Sequence, residues 1–449
     1  MTDHDHSEPY DKEDLHKGPT PTLIIKVVVA AVALSATTLG PVYFFRFHFA
    51  GGLTDPWEDD PFVVGVFTSI YLLALVAFVF AAVSRRINWW TTSLFLGLGV
   101  LAVASAAWSE VPGMTLRRGL LFLGTTLLGI SIGAFLNSAL LLRALVLGMG
   151  LCTAASAVLA VKRPGWGTQP PAGDWSGMYF NRNSLAPVAA LALLCALLLI
   201  VDSRSVPVRI ASAFCIAVSV VVLAKTGGVT AMAATFASLV ACGAAIVYGR
   251  LSARLDSIRA VTLGSAVTLV VVAILAWLTR AQLLDLIGKT PTLENRTPLW
   301  SFTIDQIAQQ PLLGYGFYTH WSAPLTAYAT FQALRWVVPT AHNGFLETFL
   351  GLGIGGLALL ILCLVTVMWK SIQLAIDRHR VSDLTPITLI TFMIVMNLTE
   401  SFVLPNQVLW VIVPASLGVC ISKQVNGTVS TAGNSVRSSP MEELMADGS

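Results

Sequence analysis

The chain has 449 residues, of which 55% are hydrophobic and only 11% charged, with a formal net charge of +3. Average soluble proteins carry roughly 25% charged residues, so the composition excludes an ordinary soluble enzyme and points to a polytopic membrane protein. The sequence holds no dense Lys/Arg tract interleaved with aromatics, and nucleic acid is not an expected partner.

A helix needs about 20 largely apolar residues to cross a bilayer, and about twelve such runs follow one another. They begin near Leu23, Phe62, Thr91, Gly119, Ala139, Ser184, Pro207, Gly228, Ala260, Gly344, Leu384 and Asn406. Unbroken runs rather than short alternating segments predict helices, and hence an all-α fold. Residues 1–21 are polar and mostly acidic, and they read as an inner, cytoplasmic tail without the features of a cleavable signal. Its His4, His6 and His16 are expected to be solvated rather than metal-binding. Cys152, Cys195, Cys215, Cys242, Cys363 and Cys420 each fall inside an apolar run, with no CxxC pair among them. They are expected to pack rather than to bind metal or form disulfides.

With the N-terminus inside, the inner side receives Arg85, Arg86, Arg204, Arg209, Arg250, Arg254, Arg259, Lys370, Arg378 and Arg380, in line with the positive-inside tendency. The same arrangement leaves Arg117, Arg118, Lys162, Arg163, Arg182, Lys225, Arg296 and Arg335 at outer helix ends or in outer loops. Cations on that side invite a bound polyanion. A guanidinium suits bidentate phosphate binding; anchoring at the interface is its other use.

Residues 279–343 form the longest polar segment, too long to lie unstructured within a compact protein. "RTPLWSFTIDQIAQQP" predicts a helix starting at Thr297 and Pro298 and stopped by Pro311. "LTAYATFQALRWVVP" predicts a second short helix ended by Pro339. Between them "LLGYGFYTHW" suits a tight turn at headgroup level. His342 is then expected in the first turn of the next span. There a neutral imidazole facing a water-filled cavity serves as a general base or hydroxyl orienter, or else merely caps its helix. Asn343 and Glu347 share a helix face, with His342 about 140° away from Glu347, so a His342–Glu347 dyad is not expected. Glu347 and Glu400, acids within or near spans, are each expected to pair with an arginine from another element. Gly351, Gly353, Gly355 and Gly356 predict close helix approach. Residues 22–422 form the membrane domain, and the Ser, Gly and Thr-rich 423–449 reads as a disordered cytoplasmic tail. A secondary transporter is the competing class for so many spans, but it would place ionisable groups near the midplane rather than gather them at one face.

The order of motifs "WSEVPGMTLRRGL", "GMYFNRNSLA", "NRTPLW", "PLLGYGF", "AHNGFLETFLGLGIGG" and "NLTESFVL" resembles the bacterial O-antigen ligase and Wzy-type polymerase superfamily, from about Trp108 to Trp410. The most specific part is His-Asn, nine residues, then Gly-x-x-Gly, met by His342, Asn343, Gly353 and Gly356. The resemblance implies a multi-span glycosyltransferase of the bacterial inner membrane, its site in a periplasmic cavity roofed by the large loop. The implied donor is a glycan on undecaprenyl pyrophosphate, and the acceptor a sugar or lipid-linked sugar. No metal or other cofactor is implied; a flippase and a chain-length regulator are possible partners. Arg182 and Arg296 carry over as pyrophosphate clamps and His342 as the residue that orients or deprotonates the acceptor hydroxyl. Arg117, Arg118, Lys225, Asn343, Arg335, Glu347 and Glu400 are the further substrate-binding candidates. Polymerisation of O-antigen or exopolysaccharide repeats is the first expectation, and transfer to lipid A-core, the ligase reaction, is the alternative.

Overall fold

The computed structural model describes residues 20–49, 60–171, 173–252, 296–335, 337–377 and 380–421. The apolar run near Ala260, the histidines of the N-terminal tail, the start of the 279–343 segment and the 423–449 tail lie outside the described residues. Helices α1 (Pro21–Ala36) and α2 (Gly40–Phe49) form a pair bent by 66°. They are followed by α3 (Pro61–Val83), α4 (Trp89–Ala104), α5 (Pro112–Phe135), α6 (Ser138–Lys162) and the one-turn α7 (Pro164–Gly167). Next come α8 (Arg182–Asp202), α9 (Val206–Thr226) and α10 (Val229–Ser252). The large polar segment contributes α11 (Arg296–Gln309) and α12 (Pro324–Leu334), and the chain returns through α13 (Gly344–Ile376), α14 (Thr385–Asn397) and α15 (Val408–Ile421). Among the described residues the strands amount to one hairpin of Thr168–Gln169 with Asp174–Trp175. The protein is an all-α polytopic membrane protein.

Local chemistry sets the helix starts. Asn88, Asn137, Asn181 and Asn343 each accept backbone N–H bonds from the first turn that follows, and Pro61, Pro112 and Pro324 occupy first helical positions. Among the described residues eight helices are long and apolar enough to cross a membrane, or nine if α1 and α2 make one bent span. The runs near Leu384 and Asn406 yield shorter apolar helices, Val381–Asn397 and Val408–Ile421. Among the described residues each expected apolar run thus forms a helix, and the last two are shorter because polar residues and Pro405 turn the chain between Leu398 and Gln407.

Backbone and hydroxyl bonds between distant segments sort the helix ends into two faces. On one, Val408 N–H donates to the Thr37 carbonyl at 2.9 Å, Tyr179 donates to Thr38 Oγ1 at 3.0 Å, and Thr230 and Thr399 hydroxyls meet at 2.8 Å. On the other, Asp202 accepts from Ser382 N–H at 2.9 Å and pairs with Arg380 at 3.2 Å. Arg296 and His342 belong to the first face, where a second hydrophobic core builds a cap over the bundle. Leu299, Ile307, Trp321, Val338, Ala341 and Leu350 form that core, apart from the main one.

The cap is threaded into a span. α13 is broken at Gly353, whose φ of 63° and ψ of −166° are not helical. The Ile354 N–H goes to the Pro311 carbonyl at 2.9 Å instead of closing the helix. The carbonyls this frees are used at once, since Leu350 accepts from Tyr315 N–H at 3.0 Å and Gly351 from Gly316 N–H at 2.9 Å. Unpaired backbone groups at membrane depth cost several kcal/mol each, so this exchange is what makes the break tolerable. Gly353 therefore does more than ease helix packing: a Cβ there would collide with the Leu312 carbonyl. Two further expectations need correction. α12 ends at Arg335, in the left-handed region at φ 62°, rather than at Pro339. His342 lies before the helix, at φ 48°, with Asn343 as its cap.

Candidate functional site

Three side chains meet where the cap rests on the bundle. Glu400, on the turn after α14, accepts from Arg296 Nη2 through Oε1 at 2.5 Å and faces His342 Nδ1 through Oε2 at 2.9 Å. A second Arg296 nitrogen, Nη1, donates to the Thr399 carbonyl. The three side chains are only 12%, 12% and 23% exposed for Arg296, Glu400 and His342. A carboxylate accepts, so Nδ1 carries the hydrogen of this contact and Nε2 is the ring nitrogen not used by Glu400. Glu400 thereby fixes both the tautomer and the plane of the ring, as a carboxylate does for the imidazole of a hydrolase triad.

The sequence contains each member of this group, yet the helical angle that separates Glu347 from His342 only says which acid is not the partner. The acid that is the partner comes from 58 residues downstream. Backbone bonds bring it there: Gly344 N–H donates to the Glu400 carbonyl at 3.0 Å, Asn343 N–H to Ser401 Oγ at 3.1 Å, and Asn343 Nδ2 to the Leu398 carbonyl at 3.0 Å. Asn343 is thus a structural cap for α13 and a clasp on the 398–401 turn.

Glu347 has another use. It is buried, accepting from Trp321 Nε1 at 3.1 Å to each oxygen and from Ala341 N–H at 2.6 Å. The expected hydrogen-bonded arginine is replaced by an indole and a backbone amide, and both bonds fasten the cap next to His342.

The remaining cations are placed as follows. Arg182, the first residue of α8, pairs with Asp174 of the hairpin while its backbone N–H donates to Gln169 Oε1 at 3.0 Å. It lies in a neighbouring cluster, joined to the His342 group through Ala186 against Gly228 and the Thr230–Thr399 contact. Arg118 is buried under the cap, donating to the Tyr318 carbonyl and to Ser322 Oγ at 3.2 Å, with its guanidinium 4.5 Å over the Tyr318 ring. Arg117 is half-buried on the same helix, Lys225 is exposed at the end of α9, and Arg335 is exposed on the cap with Gln332 Oε1 at 3.3 Å. Pairs that sequence reading missed are Arg182 with Asp174 and Arg46 with Asp60, the latter at 2.7 Å. It also passed over His320, buried in the cap with both ring nitrogens lacking hydrogen-bond partners. Burial pushes its pKa down to about 4, so the ring is neutral. No group of three His, Cys, Asp or Glu side chains suited to holding a metal occurs among the described residues.

Arg296, His342, Asn343 and Glu347 all fall within residues 189–361, the segment that matches the O-antigen ligase family model. Within that segment the chain is similar to the O-antigen ligase family. Lys225 and Arg335 also lie inside the matched segment, whereas Arg117, Arg118, Arg182 and Glu400 lie outside it. This match supports a membrane glycosyltransferase of the ligase or polymerase type. No curated protein matches the chain.

Proposed function

We propose that this protein is a glycosyltransferase of the bacterial inner membrane that works at its periplasmic face. It takes a glycan from undecaprenyl pyrophosphate and joins it to a sugar hydroxyl on a second lipid-linked chain, lengthening an O-antigen or exopolysaccharide. The observation that carries the reading is the meeting of His342 and Arg296 on Glu400, two of the three inside the O-antigen ligase segment.

In the reaction, His342 Nε2 takes the proton of the acceptor hydroxyl while Glu400 stabilises the imidazolium through Nδ1–H. The freed oxygen attacks the anomeric carbon, and the bond from that carbon to the pyrophosphate oxygen breaks. The leaving group departs as undecaprenyl pyrophosphate with the electron pair. Growing charge on its oxygens is met by the N–H groups of Arg296 not directed at Thr399 and Glu400, and by Arg182 from the neighbouring cluster. Because pyrophosphate is already a good leaving group, placement and charge stabilisation suffice, and no carboxylate pair of glycosidase type is required.

The test uses the purified full chain in liposomes with lipid-linked repeats as the sole substrate. Longer lipid-linked chains are expected, and they should disappear with His342→Ala and with Arg296→Ala while both variants remain inserted and folded. A strict requirement for lipid A-core would replace polymerisation by ligation. Normal product from either variant would remove the group from the chemistry.

A further inference from the structure

Beside the cap, between α2, α3, α5 and the segment that leads into α15, lies a cavity of about 100 Å³. One guanidinium, two carboxamides and two phenol rings line it, from Arg118, Asn406, Gln407, Tyr43 and Tyr318, against an apolar wall that includes Val64 and Phe67. No carboxylate is among the described residues of the lining. Val64 is in the first turn of α3 and Arg118 in the second turn of α5, so the cavity lies on the same face as His342.

Its polar groups are held in place before anything binds. Asn406 stands in the left-handed region at φ 60°, a conformation uncommon outside glycine and tolerated better by asparagine than by most residues. Tyr71 donates to Asn406 Oδ1 at 2.5 Å, and the Asn406 N–H donates to Thr125 Oγ1 at 3.0 Å. With Oδ1 fixed toward Tyr71, the amide nitrogen is turned the other way. Arg118 is fixed by Tyr318 and Ser322 from the cap. Backbone strain maintained by a buried hydroxyl network is a pointer to function rather than to stability.

The donor set suits a sugar ring. Carboxamides give and accept hydrogen bonds as hydroxyls require, the guanidinium takes further hydroxyls or an acidic substituent, and aromatic faces pack against C–H edges. At about 100 Å³ the cavity is smaller than a whole pyranose, so it seats one edge of a single ring, with the rest of the sugar outside it. Of the lining residues only Tyr318 lies within residues 189–361. The His342 and Arg296 chemistry is thus inside the O-antigen ligase segment, while this cavity is built almost wholly outside it. Both sides are mechanically joined: Gln407 shares a turn with Glu400, and Trp321, between Tyr318 and Ser322 of the cap, donates to Glu347, which holds Ala341 beside His342.

We infer that this cavity is a saccharide-recognition pocket, distinct from the His342 centre, which receives the edge of one sugar residue of the glycan being joined. Its place in polymer synthesis rests on the glycosyltransferase reading, but sugar binding is measured without turnover. Saturation-transfer NMR on the full chain in nanodiscs, against glucose, galactose, N-acetylglucosamine, glucuronic acid and inorganic pyrophosphate, is the test. At least one sugar should bind wild type and His342→Ala alike. Its affinity should fall about fivefold in Gln407→Leu, the effect of one lost hydrogen bond, and binding should vanish in Val64→Trp, which fills the cavity. Sugar binding lost in His342→Ala but kept in Gln407→Leu would overturn the pocket, as would pyrophosphate binding that depends on Gln407. The absence of any Gln407-dependent sugar signal would do the same. Failure of wild type to transfer glycan, with Gln407-dependent binding intact, would count against the enzymatic reading and leave the pocket standing.

Discussion

An imidazole held by one nitrogen can meet a substrate only with the other, and in this chain Glu400 does the holding. Glu400→Gln keeps the size of the side chain but removes the charge that stabilises an imidazolium and neutralises Arg296. We expect kcat to fall by about 10- to 100-fold with little change in KM for the lipid-linked donor, and Glu400→Ala to fall further, toward the 10²–10⁴-fold typical of losing a general base. If Glu400→Gln raised KM alone, Glu400 would be a binding group and not an orienting one. A second residue-scale prediction concerns His320, buried against the uncharged rings of Tyr315 and Trp321. Its folded pKa, lowered to about 4 by burial, lies below the 6.5 of a free imidazole. The unfolded chain therefore binds the extra proton first, and stability present above pH 6.5 is lost as the pH falls toward 4, by roughly 3 kcal/mol at most. His320→Phe should remove that part of the acid sensitivity, read as the difference in thermal unfolding between pH 7 and pH 4.5. An unchanged difference would assign the acid sensitivity to other groups.

At the scale of elements, the break in α13 is the feature hydropathy hides. From Gly344 to Ile376 the run reads as one continuous apolar span, because a broken helix and a straight one have the same composition. Its glycines point to close approach, but not to the fact that the approaching group is the backbone of the "PLLGYGF" turn. The helices themselves and the cap helix at Arg296 follow from local patterns and were legible, whereas the Asn343 cap was not, since His342 reads as part of the first turn. The partners of His342 and Glu347 depend on which distant turn returns to the same place, and no local pattern encodes that. Two neighbouring glycines separate the roles experimentally. Gly353→Ala must adopt a positive φ and push against Leu312, which should destabilise by roughly 1–3 kcal/mol and accelerate hydrogen exchange at 311–316. Gly355→Ala meets no atom within 4 Å and should be neutral or slightly stabilising. Equal behaviour of the two would show that the break does not hold the cap.

For the whole molecule, the open question is which face looks outward, and counting Lys and Arg does not decide it. Among the described residues the face with His342 carries Arg117, Arg118, Lys162, Arg163, Arg182, Lys225, Arg296 and Arg335, while the opposite face carries Arg85, Arg86, Arg204, Arg209, Lys370 and Arg380. The positive-inside rule counts basic residues in short loops, and similar numbers on both sides give it little to act on. The two groups differ in their settings, however. Arg182 and Arg296 are paired with acids and Arg118 is buried beneath the cap, whereas Arg204 and Arg209 lie at the exposed turn from α8 to α9. Cations already engaged in the folded site are weak evidence about which side the chain left in the cytoplasm, so the proposed orientation takes the exposed arginines as its guide. All six native cysteines are buried, which leaves a low background for thiol labelling. Ala333→Cys, on the exposed side of α12, should react with a membrane-impermeant maleimide in intact spheroplasts. Ser205→Cys, between α8 and α9, should react only after the membrane is permeabilised. The reverse pattern would turn the His342 face to the cytoplasm, and a reaction drawing on a periplasmic lipid-linked glycan would then have no access to it.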